Sequence, residues 1–252
     1  MKKFLGIVAC IFIVVSCSSR KIEDGGWDVV IKGKVSFPQA GIITLRELTP
    51  DNTGKIDSVV LGSNNMYEKK IHLMQAGFYQ FNFYNLQILN VILNKSNLEI
   101  NVDGNNMQGF SEVKGSAEQD LIARVQTMTS QLQALPEMAS LEKQFSAAAQ
   151  AHDEAKMEAL RQQYMAVLKK EHDKIAELLL QQPASLAVLD LLMQGNLLDR
   201  DEYAGVYEDA ALKLKRELPN SPYGKVFISQ VEKLKATSIG IRQRDLGRLF
   251  PD

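Results

Sequence analysis

Sulfur and imidazole are the side chains best suited to covalent, redox or metal chemistry, and this sequence holds only two cysteines and three histidines in 252 residues. Cys10 lies inside an apolar run, residues 4–15, that follows Lys2 and Lys3, and Cys17 stands directly after Val14, Val15 and Ser16. A charged start, a short apolar stretch and a small residue before a cleavage point describe a secretory signal. The run is shorter than the roughly 20 residues that cross a bilayer as a helix. The pattern predicts Cys17 as the first residue of the exported chain. Cys10 leaves with the signal, so the exported body is expected to have no disulfide within it.

The histidines offer little else. His152 and His172 sit in His152-Asp153-Glu154 and Glu171-His172-Asp173. A helical metal site such as H-E-x-x-H needs a second histidine within a turn, and neither segment supplies one. Both read as solvated helix faces, and His72, near Lys69 and Lys70 on a strand, as a surface residue. Asp57 and Ser58 are adjacent in a strand pattern and therefore point to opposite faces. No G-x-S-x-G elbow and no phosphate-cradling Gly-rich loop occurs. The expectation is no catalytic residue, no cofactor and no metal.

Residues 1–17 resemble a bacterial lipoprotein signal, with Cys17 as its lipid-bearing cysteine. Each buried methylene contributes about 0.8 kcal/mol, and stable anchoring takes two or more chains. The resemblance implies several chains, palmitate among them, and hence a permanent tether in the cell envelope. The expected place is the outer membrane, facing the periplasm, with the membrane itself as first partner. Residues 18–26 form a polar linker. The formal net charge is −1, and loss of Lys2 and Lys3 from 29 basic residues against 30 acidic ones leaves the body near −3. No basic footprint for nucleic acid is present.

The elements that would have to position a site fall into two parts. Across residues 27–115 short β-branched and aromatic runs alternate with period two. They are separated by turn signals such as Pro50-Asp51-Asn52-Thr53-Gly54, Gly62-Ser63-Asn64-Asn65 and Gly104-Asn105-Asn106. That spacing predicts an antiparallel β-sandwich or barrel. In the clearest strand Leu98, Ile100 and Val102 face a core while Glu99, Asn101 and Asp103 face water. Aromatic residues Phe78, Tyr79, Phe81, Phe83 and Tyr84 fall on both faces of one strand, so both faces need cover: the sandwich core on one side, and docked helices, a further domain or a partner on the other.

From Ser116 the period becomes 3.6, giving an α+β chain with a helical domain over residues 116–236. Ser116 and Gln119 have the spacing of a capping box, and Glu118 and Asp120 suit the positive end of a helix dipole. The first helix is expected to reach about residue 150, kinked or broken at Pro136. A turn near His152-Asp153 leads into a second helix to about residue 182, so the two form a hairpin. Met157, Leu160, Tyr164, Leu168, Ile175 and Leu178 or Leu179 share one face of it. Pro183 ends that helix, and three shorter ones follow over residues 186–193, 202–218 and 223–235. The Ala-rich arm 145–151 could pair with another copy, although packing within the hairpin needs the same residues.

Ile56-Asp57-Ser58-Val59, Gly77-Phe78-Tyr79, Leu93-Asn94-Lys95-Ser96-Asn97-Leu98, Val113-Lys114-Gly115-Ser116 and Ser221-Pro222-Tyr223-Gly224 resemble the front part of TlpA-like, AhpC/TSA-type thioredoxin-family lipoproteins of Bacteroidetes. In that family a lipid cysteine precedes a β domain without assigned activity, a helical segment and a thioredoxin fold. The tail 237–252, with Leu246-Gly247-Arg248-Leu249-Phe250-Pro251-Asp252, is similar to the opening of that thioredoxin domain. Thiol–disulfide exchange needs an attacking thiolate and a resolving thiol, and this chain carries no C-x-x-C. The resemblance leaves two readings open. One is a non-catalytic binding or interaction module, with a protein partner or a thioredoxin-like protein. The other is the severed front of a thiol–disulfide oxidoreductase that positions a redox domain or its client.

Overall fold

The computed structural model describes residues 25–194 and 197–249. The signal, Cys10, Cys17 and most of the linker lie outside the described residues, as do Pro251 and Asp252. The chain is α+β. Among the described residues eight strands come first: β1 Trp27–Lys34, β2 Ile43–Glu47, β3 Ile56–Val59, β4 Met66–Leu73, β5 Gly77–Phe83, β6 Gln87–Leu93, β7 Leu98–Val102 and β8 Ser111–Lys114. Six α-helices follow among them: α1 Ala117–Gln133, α2 Pro136–Gln150, α3 Glu154–Leu180, α4 Leu186–Met193, α5 Ala204–Glu217 and α6 Pro222–Leu249.

The strands form two four-stranded sheets, in the orders β4-β1-β7-β8 and β3-β2-β5-β6. Their inner faces interdigitate into one core that includes Val29, Ile31, Leu45, Phe81, Phe83, Ile100 and Val102. Phe81 and Phe83 stack within it at 5.6 Å. The period-two pattern is therefore the footprint of a face-to-face sandwich.

One pairing departs from the antiparallel expectation: β1 runs parallel to β7, with Ile31 opposite Leu98 and Lys32 opposite Glu99. Alternation fixes which face a residue takes and says nothing of strand direction. The carboxamides of Asn97 and Asn101 extend this pair, accepting from the backbone N–H of Val30 at 2.8 Å and of Lys34 at 3.1 Å. Gly33 has no room for a side chain there, since a Cβ would sit 1.7 Å from the Ile100 carbonyl oxygen. β8 is a strand that the sequence pattern did not announce.

The helices differ in detail from the periodicity. α1 and α2 are separate, because the chain breaks at residues 134–135 and Pro136 opens α2, where its missing N–H costs nothing. His152 takes a left-handed φ of 53°, and the Asp153 carboxylate accepts from the Lys156 N–H at 3.0 Å to cap α3. α2 and the first half of α3 enclose a small core of their own around Leu141, Ala148 and Leu160, with Phe145 packed against it; Ala147, Ala149 and Ala151 of the Ala-rich arm stay exposed. The second half of α3 enters the main helical core through Ile175, Leu178 and Leu179. α6 continues as helix to Leu249, well past the expected end near residue 235.

The expected capping box does not form. Ser116 is the N-cap residue of α1, but its hydroxyl is buried without a partner, and so is the Gln119 amide nitrogen. Glu118 instead reaches across to α4. Its Oε2 accepts from Ser185 Oγ at 2.6 Å and from the Ala187 N–H at 2.7 Å, while Ser185 Oγ accepts from the Val188 N–H. A carboxylate at the positive end of this almost wholly buried helix satisfies donors that water cannot reach.

Glu118→Ala is expected to lower the unfolding free energy by about 2 kcal/mol, the scale of hydrogen bonds to a charged acceptor. Ser185→Ala should cost about half as much. Denaturant midpoints measure both, and an unchanged midpoint for Glu118→Ala would contradict the cross-helix cap.

Candidate binding cleft

The outer face of the second sheet is where the two halves of the molecule meet. β5 alternates strictly, with Tyr79, Phe81 and Phe83 turned into the sandwich and Phe78 turned out. Phe78 meets Tyr223 of α6 edge to face, with ring centroids 4.9 Å apart. Ile92, opposite Phe78 in β6, is buried in the helical core with Leu121, Leu189 and Phe227. The strand aromatics thus find their second cover in the helices.

The seam is not closed along its whole length. Between Leu48, Phe78 and Ile92 on the sheet and Ile122, Met193 and Val226 on α1, α4 and α6 lies a cleft of about 580 Å³ with a mainly apolar lining. Its polar groups are few. Tyr223 is 7% exposed. Its hydroxyl faces the Phe78 amide without meeting hydrogen-bond geometry, and burial pushes its pKa up, with the charges of Glu47 and Asp51 adding to the rise. Gln119 Nε2 is likewise unpartnered. The Thr49 hydroxyl, on the rim, makes no hydrogen bond of good geometry, although its nearness helps to hold Asp51 below its usual range. Asp190 contributes the carboxyl group of the lining. Burial raises its pKa, and the hydrogen bond it accepts from Gln194 Nε2 at 3.1 Å opposes the rise only in part.

The size and the mainly apolar lining of this cleft are those of a small-molecule pocket, in which a few donors fix orientation. Its titratable lining groups are Asp190 and Tyr223, with no nucleophile–base pair between them. A second cleft of about 470 Å³ opens between Trp27, Lys95 and Ser96 on one side and Glu118, Glu217 and Pro219 on the other. The Glu118 side chain that borders it is already engaged in capping α4.

The residues weighed from sequence are scattered. His72 is exposed, with Nδ1 2.8 Å from Asp28 Oδ1. Asp28 also pairs with Lys70 at 2.7 Å, and Lys70 and then His72 hold its pKa low. His152 is an exposed turn residue. His172 packs edge-on to Tyr203. Asp57 pairs with Lys69 at 2.5 Å, and its carboxylate accepts from the Ser58 backbone N–H rather than sharing a site with the hydroxyl. Among the described residues no group of three or more His, Cys, Asp or Glu side chains is arranged to hold a metal ion. No helix among them is long and apolar enough to cross a membrane. Periodicity did not reveal the knot in which Lys169 pairs with Asp173 at 2.8 Å and Glu202 at 3.2 Å. There the Tyr203 hydroxyl donates to Asp173, and burial with that carboxylate pushes the tyrosine pKa up to about 12. The cleft itself went unread, but it had a signal: Phe78 is the aromatic out of phase with its strand.

Comparison with family models, curated proteins and solved structures returned no match.

Asp190 carries a testable pH signature. Its folded-state pKa lies above the ordinary 3.8, so the folded chain holds this proton more tightly than the unfolded one. Its contribution is most favourable below the unfolded pKa and declines as pH rises through the folded value. Asp190→Asn keeps an acceptor for Gln194 and removes the buried charge. The variant should be more stable than the parent near neutral pH, with the difference shrinking as pH falls below the ordinary aspartate value. An equal loss of stability at both ends would contradict it. Thermal melts across that range decide.

Proposed function

We propose that this chain is a lipid-anchored module of the bacterial cell envelope, tethered through Cys17 on the periplasmic side of the outer membrane, that binds a ligand without transforming it. The observation that carries the binding part is the cleft between the second sheet and α1, α4 and α6: an apolar space of small-molecule size bordered by the Tyr223 hydroxyl and Gln119 Nε2, both without partners. The anchoring part rests on the charged start, short apolar run and Ser16-Cys17 junction of the sequence. A stable tether suits a binder that must stay at one surface, since two or more acyl chains make release negligible.

Mass spectrometry of the mature N-terminus should find Cys17 acylated, and Cys17→Ser should move the protein from the membrane to the soluble envelope fraction. An unmodified N-terminal amine at another residue, or a Cys17→Ser chain still held by membranes, would remove the anchor from the account. Binding is tested separately with an environment-sensitive apolar dye, whose fluorescence should rise saturably with the parent protein. Val226→Trp, which fills the cleft mouth, should abolish that rise; an equal rise with this variant would place binding elsewhere.

A further inference from the structure

Beside the cleft, β-sheet register sets out a row of polar side chains on the same outer face. Arg46 of β2 stands opposite Gln80 of β5, and Gln80 stands opposite Asn90 of β6, whose Oδ1 accepts from Gln80 Nε2 at 3.0 Å. The neighbouring row is Leu48, Phe78 and Ile92, the sheet side of the cleft: the Leu48 N–H donates to the Phe78 carbonyl, and Phe78 faces Ile92. Strands lie about 4.8 Å apart and same-face residues about 7 Å apart along a strand. The polar row therefore runs within one pleat of the apolar one, and Asn90 belongs to both the row and the cleft.

Arg46 is the unusual member. Its side chain is half-buried, its Nε is buried without a partner, and among the described residues no carboxylate pairs with it. Lys69, Lys70, Lys169 and Lys213 all have acidic partners. A planar guanidinium left in this state is suited to a carboxylate, which it can grip through two parallel N–H donors. Asn90 can add a donor from its amide nitrogen, because its Oδ1 is the atom engaged with Gln80. The apolar space and the unclaimed cation together call for a ligand with one apolar body and one anionic end.

Building on the binding-module reading, we propose that the cleft takes a single-chain carboxylate of the fatty-acid class, its chain between Phe78, Ile92, Ile122 and Met193 and its head on the Asn90–Gln80–Arg46 row. The volume of about 580 Å³ suits one acyl chain. Asp190 is the carboxyl group of the lining, and Glu47 and Asp51 lie near enough to act on Tyr223, so the head is placed at the Arg46 guanidinium rather than beside these acids.

The test is calorimetric titration of the full chain, held in phosphatidylcholine nanodiscs, with decanoate and with uncharged decanol. Partition into the disc is the same for every variant and cancels in the comparison. The parent should bind both saturably, with decanoate tighter, and affinity should rise about fourfold per methylene from octanoate to decanoate. Arg46→Gln should weaken decanoate at least about tenfold and leave decanol unchanged. Val226→Trp should remove both. Decanoate binding insensitive to Arg46→Gln would overturn the assignment of the head. No saturable decanoate binding above that of Val226→Trp would overturn the ligand class. If the apolar dye still bound in that last case, the binding-module reading would survive while this inference fell.

Discussion

The contact on which the molecule depends is the packing of Phe78 and Ile92, on the outer face of the second sheet, against Tyr223 and the buried sides of α1, α4 and α6. A sandwich is complete once its two inner faces meet, and an outward-facing sheet surface can remain in water. Here that surface carries large apolar side chains out of phase with the strand pattern. Burying them requires the helices, and the helices in turn gain a sheet to pack on. Each fully buried side chain of this size contributes about 1.5–3 kcal/mol, so a few of them join two cores that would otherwise be independent.

The helical side is shaped to receive that face. α4 is short and nearly all apolar, with Leu186, Ala187, Leu191 and Leu192 each at most 2% exposed. A buried helix cannot satisfy its first backbone donors from water. Glu118, delivered from the first turn of α1, meets that need and pins α1 to α4. In the same turn Ser116 and Gln119 lack the mutual bonds their spacing suggests. The cleft is the part of the seam left open between these pinned helices and the sheet, and the unpartnered Gln119 and Tyr223 atoms lie at its edge.

Much of the fold was legible because alternation and 3.6-residue periodicity report burial directly. Leu98, Ile100 and Val102 fill the sandwich core; Leu160, Ile175 and Leu179 share the buried side of α3; α4 begins after Ser185. What stayed hidden depends on partners remote in sequence. Strand direction in the β1–β7 pair leaves no mark on the periodicity of either strand. Ser116 and Gln119 have the spacing of a local rule that the fold does not use, whereas Glu118 answers the buried donors of α4, a partner far away in sequence. The cleft combines Leu48, Phe78, Ile122, Met193 and Val226, which no single window of sequence contains. Phe78 gave its one hint by falling out of phase in its strand, which told that a cover exists and not what shape it leaves.

Native-state hydrogen exchange resolved by element tests the seam most directly. If Phe78, Ile92 and Tyr223 join the two cores, the amides of α4 and β5 share one opening free energy, and Phe78→Ala lowers it for both by the same amount. Exchange of α4 through a lower-energy opening that leaves β5 protected, unmoved by Phe78→Ala, would show that the helices do not depend on the sheet and would contradict the account.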